Sequence, residues 1–257
     1  MRWSERFFLP ILCGTLAVFF AGEAAAVTEI TVSAALSLKA PFEEIGRAYA
    51  KKTEINVVFN FGPSGMLQKQ IENGAPVDVF ASASAREMDG LEGGGFIIAA
   101  TRSDFAGNEM VLISAIHIQR KVSSFQDLGE KDIARIAIGN PASVPAGKYS
   151  EETLRSLGLW DKVQPKLIFG AHVRQVMDYV SRGEVDAGMV FLTDAMERSK
   201  ELRVIAEAPA SSHKPVVYTI AAIKGTKNEK ATRDFIALVM SKTGNEILKK
   251  YGFKIPR

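Results

Sequence analysis

The chain has 257 residues, a formal net charge of +3, 47% apolar residues and a single cysteine. This length is enough for one large domain or for two lobes with their own cores. The near balance of charge, with no cluster of Lys and Arg interleaved with aromatics, argues against a nucleic-acid partner, and one cysteine rules out an internal disulfide.

Taken in order, residues 1–26 read as a secretory signal peptide. Arg2 and Arg6 form a basic start, Phe7 to Ala21 is apolar, and Ala24-Ala25-Ala26 supplies the small residues for cleavage before Val27. A retained membrane anchor is the other reading, but the apolar run is short for a span and contains Pro10 and Gly14. Cys13 would leave with the signal and sits in no lipobox, so the mature chain has no thiol chemistry. No second stretch reaches membrane-spanning length.

Beyond Val27, strand and helix signals alternate. Glu29–Ser33 predicts a strand and Leu38–Lys51 a helix, with Ser37 at its N-cap. Asn56–Phe61 is a strand and Gly65–Asn73 a helix; Val77–Ala81 is a strand and Ala85–Glu92 a helix. After Gly93-Gly94-Gly95 come a strand at Glu109–Ser114, a helical turn at Phe125–Leu128 and a strand at Arg135–Gly139. A helix at Ala146–Leu157 stops at Gly158, and Pro165–Phe169 is a strand. A helix at Val173–Arg182 stops at Gly183 and is followed by a strand at Ala187–Phe191. Thr193–Ser199 is helical, Leu202–Ala206 and Val216–Lys224 are strands, and Asn228–Tyr251 holds one or two helices.

Such alternation predicts an α/β fold with largely parallel sheets. The chain crosses out near Asn108–Leu112 and back near Pro215–Tyr218. Two lobes joined by a hinge follow, with residues 27–107 plus 218–257 in one and 108–217 in the other, and a ligand site in the central cleft.

Three strand–turn–helix junctions carry small residues: Ala34-Ala35-Leu36-Ser37, Gly62-Pro63-Ser64-Gly65 and Pro145-Ala146-Gly147-Lys148-Tyr149. A helix start leaves up to four N–H groups without partners and carries partial positive charge. Convergence of these starts would hold an anion without a charged side chain; plain helix capping is the alternative for each serine taken alone. His117, His172 and His213 lie at no metal-ligand spacing and read as surface or structural residues. No nucleophile elbow or phosphate loop occurs, and neither serine has an evident base. Asp78, beside an apolar strand, reads as a residue that orients a loop.

At these residues the chain resembles the periplasmic molybdate-binding components of ABC-type importers. The resemblance runs over essentially all of the chain after the signal. It is carried by Ala34-Ala35-Leu36-Ser37-Leu38, Gly74-Ala75-Pro76-Val77-Asp78-Val79-Phe80, Pro145-Ala146-Gly147-Lys148-Tyr149, Val173-Arg174-Gln175-Val176, Thr193-Asp194-Ala195 and Lys250-Tyr251-Gly252-Phe253. It implies a two-lobed, type II-like periplasmic binding protein fold with a hinge and central cleft. It implies a periplasmic, non-enzymatic binder without cofactor or metal cation, delivering molybdate or tungstate to an inner-membrane ABC permease, with a monomer as the default.

By position, Ser37 and Ser64 would donate hydroxyl and backbone N–H, and Ala146 and Val173 backbone N–H. The family's tyrosine donor falls at Phe191, whose ring cannot donate; Lys148 or Tyr149 would have to compensate, or the site makes one bond fewer. An all-donor pocket rejects hydrogen phosphate, whose O–H finds no acceptor, whereas sulfate is distinguished only by size. The competing readings are a binder of another oxyanion such as sulfate, an exported serine-dependent hydrolase and a sensory anion-binding module.

Overall fold

The computed structural model describes Met1 and residues 29–118 and 122–256. The expected signal peptide, Met1 apart, lies outside the described residues. Among them the strands are β1 (Glu29–Ala35), β2 (Asn56–Gly62), β3 (Val79–Ser82), β4 (Ser103–Asn108), β5 (Met110–Ala115), β6 (Ile136–Gly139), β7 (Leu167–Gly170), β8 (Ala187–Phe191), β9 (Leu202–Glu207) and β10 (Val216–Ala222). The α-helices are α1 (Lys39–Thr53), α2 (Ser64–Glu72), α3 (Ala85–Gly93), α4 (Pro145–Ser156), α5 (Trp160–Val163), α6 (Val173–Ser181), α7 (Leu192–Glu197), α8 (Glu229–Met240) and α9 (Lys242–Lys250). None of the described helices is long and apolar enough to cross a membrane.

Residue spacing explains the larger elements. In α1 the buried positions are Pro41, Phe42, Ile45 and Tyr49, and in α6 they are Val173, Val176, Met177 and Val180, a single apolar stripe at helical period in each case. Gly158 and Gly183 follow α4 and α6 at φ 69° and 72°, the left-handed turn that ends a helix and that glycine adopts without strain.

Two five-stranded sheets result, ordered β2-β1-β3-β10-β4 and β7-β6-β8-β5-β9. The orders are equivalent. In each, three parallel strands (β2, β1, β3 or β7, β6, β8) are followed by an antiparallel strand that pairs with the third and with an edge strand. That antiparallel strand, β10 or β5, lies next to a crossing between the sheets, so each lobe is completed by chain adjoining the other. Two aspartates follow the same plan. Asp78, ahead of β3, accepts the Thr31 N–H of β1 at 2.8 Å, and Asp186, ahead of β8, accepts the Ala134 and Arg135 N–H groups just before β6 at 2.6 and 3.0 Å. Asp78 also holds Thr226 and Asn228, so it does orient a loop.

An aromatic series joins the lobes: Phe42 to Phe105 at 5.7 Å between ring centroids, Phe105 to Tyr218 at 6.2 Å, Tyr218 to Phe191 at 5.9 Å and Phe191 to Tyr149 at 6.1 Å. All five side chains belong to one continuous buried core.

Some local expectations are corrected. β4, Ser-Asp-Phe-Ala-Gly-Asn, has no strand signature in sequence; it forms as an edge strand because β10 supplies its backbone partners across a bulge at Tyr218/Thr219. Pro165 sits in the 3-10 turn Gln164–Lys166 rather than in a strand, having no N–H for a ladder. Leu38, not Ser37, precedes α1; Ser37 lies in a 3-10 turn, Leu36–Leu38, and its hydroxyl is engaged elsewhere. The first sheet runs through β4 to Asn108 and resumes with β10 at Val216.

Candidate functional site

The parallel strands of both sheets send their carboxyl ends to one place. A cavity of roughly 250 Å³, mouth included, lies among Ala35, Gly62 and Ala83 at the ends of β1, β2 and β3, and Val144, His172 and Phe191 at or after the ends of β6, β7 and β8. Ligand sites of open α/β sheets form at such carboxyl ends. Ser37, Ser64, Ala146, Val173 and Phe191 all line this cavity. Lys148 and Tyr149 do not: the Lys148 ammonium pairs with Glu151 at 3.1 Å, and the Tyr149 hydroxyl turns toward the Pro215 carbonyl. Burial pushes the Tyr149 hydroxyl up to about 12, so it stays a neutral phenol.

Three helices begin here. Ser64 opens α2, Pro145 and Ala146 open α4, and Val173 opens α6. The first-turn N–H groups of Ser64, Ala146 and Val173 have no carbonyl four residues back to bond, and they carry the positive end of the helix dipole. Pro145 adds no N–H of its own, and its fixed φ suits a helix start. Among the described residues no carboxylate, lysine or arginine lines the cavity.

The serine hydroxyls are tied down from behind. Ser64 is fully buried, and its Oγ accepts the Ala83 N–H at 3.1 Å. Its own proton therefore remains to be donated. Ser37 Oγ lies 2.9 Å from Tyr218 Oη. Tyr218 is wholly buried, and burial with the Asp194 charge nearby raises its hydroxyl well above the ordinary phenol range. Asn108 Nδ2 donates to the same Tyr218 oxygen at 3.2 Å and to Thr193 Oγ1 at 2.8 Å. His172 caps α6: its Nδ1 accepts the Gln175 N–H at 3.1 Å, which leaves Nε2 as the nitrogen free to donate.

The lobes also touch through backbone, next to the cavity residues Ser64 and Val144. Gly65 N–H in the first lobe donates to the Ser143 carbonyl in the second at 3.2 Å. A Cβ on Gly65 would stand 2.9 Å from that oxygen, so only glycine permits the approach. Residues 30–254 match the family model for bacterial extracellular solute-binding proteins.

The chain belongs to that family. Among relatives of this solute-binding protein, the Bacillus subtilis putative ABC transporter substrate-binding lipoprotein YvgL is 41% identical over 87% of this chain and 85% of its own length. The Haemophilus influenzae molybdate-binding protein ModA is 38% identical over 89% of this chain and 91% of its own length. In three dimensions the chain is similar to the Azotobacter vinelandii periplasmic molybdate-binding protein, with a TM-score of 0.79 and 27% identity over 89% of this chain and all of the other. The fold is thus the two-lobed periplasmic binding protein fold, and the protein works outside the cytoplasm.

Tyr218, Asn108 and His172 were not legible as parts of the site. Tyr218 is one tyrosine in an apolar strand and Asn108 one polar residue at a strand end; only the pairing of β4 with β10 brings them behind Ser37.

Proposed function

We propose that the protein captures molybdate, and tungstate with it, and hands the anion to an ABC permease in the inner membrane. The observation that carries this reading is a cavity that both lobes build and line with backbone and hydroxyl donors, without a carboxylate, lysine or arginine among the described residues. Each hydrogen bond to a charged acceptor is worth about 1.5–3 kcal/mol net. Ser37 and Ser64 would each give a hydroxyl and an N–H, and Ala146 and Val173 an N–H, to a dianion stripped of water. Together these support tight binding after the cost of ordering and closure. Phe191 contributes an apolar wall and no donor. The names of the ModA relatives and of the Azotobacter structure point the same way.

The same reading divides the chain near 108 and near 216 into lobes that close about the two crossings. It makes the protein a periplasmic monomer released by signal cleavage before Val27, and a binder, not an enzyme: His172, the imidazole in the cavity lining, spends its Nδ1 on the cap of α6. Titration of purified protein with molybdate, tungstate, sulfate and phosphate, followed by calorimetry, tests it. Molybdate and tungstate should bind tightly, sulfate weakly and phosphate more weakly still, and Ser37→Ala should weaken molybdate roughly tenfold or more. Sulfate binding as tight as molybdate would refute the assignment.

A further inference from the structure

We propose that Tyr218 is a specificity-determining positioning residue, which touches no anion but fixes the Ser37 hydroxyl as a donor into the cavity. The inference rests on the oxyanion reading of the site and adds to it how the pocket tells a fully deprotonated anion from a protonated one.

The direction of the relay follows from counting protons. Asn108 Oδ1 accepts the Glu109 N–H at 2.9 Å, which sets the amide orientation and leaves Nδ2 facing Tyr218 and Thr193. Tyr218 Oη therefore receives a hydrogen from Asn108. Its own proton has Ser37 Oγ, 2.9 Å away, as acceptor, and any other arrangement strands a buried O–H. The phenol holds that proton across the physiological range, since burial raises it far above neutrality. Ser37 Oγ, once it accepts from Tyr218, gives its single hydrogen to whatever occupies the cavity. Ser64 is fixed in the same sense by the Ala83 N–H. Both hydroxyls then have one lone pair engaged from behind and their single hydrogen aimed at the ligand, which disfavours acceptance from a ligand O–H. Molybdate, with four bare oxygens, meets only donors; hydrogen phosphate would set its own O–H against one.

The test compares unmutated protein with Tyr218→Phe, Ser37→Ala and the double variant, each titrated with sodium molybdate, sodium sulfate and inorganic phosphate near pH 7.5. In Tyr218→Phe the Ser37 hydroxyl is free to turn and accept. Molybdate binding should weaken several-fold while phosphate binding improves, so the ratio of the two dissociation constants falls by about tenfold or more. In the Ser37→Ala background Tyr218→Phe should leave that ratio unchanged, because the tyrosine acts through the serine. Equal weakening of both anions, or an effect that persists without Ser37, would overturn the inference. Should Tyr218→Phe not fold, Asn108→Asp serves in its place: a carboxylate at that position takes the tyrosine proton, reverses the relay and should lower the same ratio. An unchanged ratio there counts against the proposal. If the unmutated protein prefers sulfate, the molybdate assignment falls, while the sulfate-to-phosphate ratio still decides the role of Tyr218.

Discussion

Phe191 ends β8 with its ring against Tyr218 and Tyr149, nearly wholly buried at the cavity wall. A hydroxyl there would face the anion, as the resemblance implies for the family's tyrosine. Phe191→Tyr is expected to tighten molybdate binding by roughly tenfold, measured by calorimetry, with little change in stability. Asp194, at the start of α7, governs a different property. Its carboxyl is 3% exposed, and one of its oxygens has no partner among the described residues. Burial, helped by the charge of Glu197, pushes it up to about 7, against the pull of the Phe191 N–H and Arg174. The folded protein thus holds a proton that the unfolded chain releases near pH 4. The stability this group contributes is complete below that pH and is lost as pH rises through about 7, by up to roughly 1.4 kcal/mol per pH unit. Denaturant unfolding at pH 5 and pH 8 should show a smaller loss of stability on going alkaline in Asp194→Asn than in the unmutated chain.

At the scale of elements, the helices and parallel strands were readable because each carries its own signal. α6 buries one stripe at helical spacing, and Gly183 stops it. β8 is a five-residue apolar run found with the boundaries expected. β4 was not readable, because an edge strand with Asp, Gly and Asn is stabilised by its neighbour and not by its composition. Ser37 shows the same limit within the site. Its position at a helix start was nearly right, yet its hydroxyl serves Tyr218, a residue 181 positions away, and not the helix. Local pattern gave the helix starts that line the cavity; the polar layer behind them depends on long-range strand pairing, which periodicity does not encode. The equivalence of the two sheets was hidden for a related reason. Their common order and the matched roles of Asp78 and Asp186 persist without visible sequence repetition.

For the molecule as a whole, the two lobes meet by two different means. Aromatic rings and the paired crossings join them on one hand, and the Gly65 N–H to Ser143 carbonyl bond on the other. Gly65→Ala puts a methyl group 2.9 Å from that oxygen and should prevent full closure. The expected result is roughly tenfold weaker molybdate binding, together with a larger radius of gyration for the liganded protein in small-angle X-ray scattering. Unchanged values of both would show that the contact plays no part in closure.

That backbone contact between the lobes has a kinetic consequence. An anion held between the lobes as proposed would leave only when they part, so its residence time would be that of lobe opening, whichever tetrahedral species lies inside. Molybdate and tungstate should then escape at similar rates even where their affinities differ, and rapid unloading would fall to a docked transporter able to prise the two jaws apart.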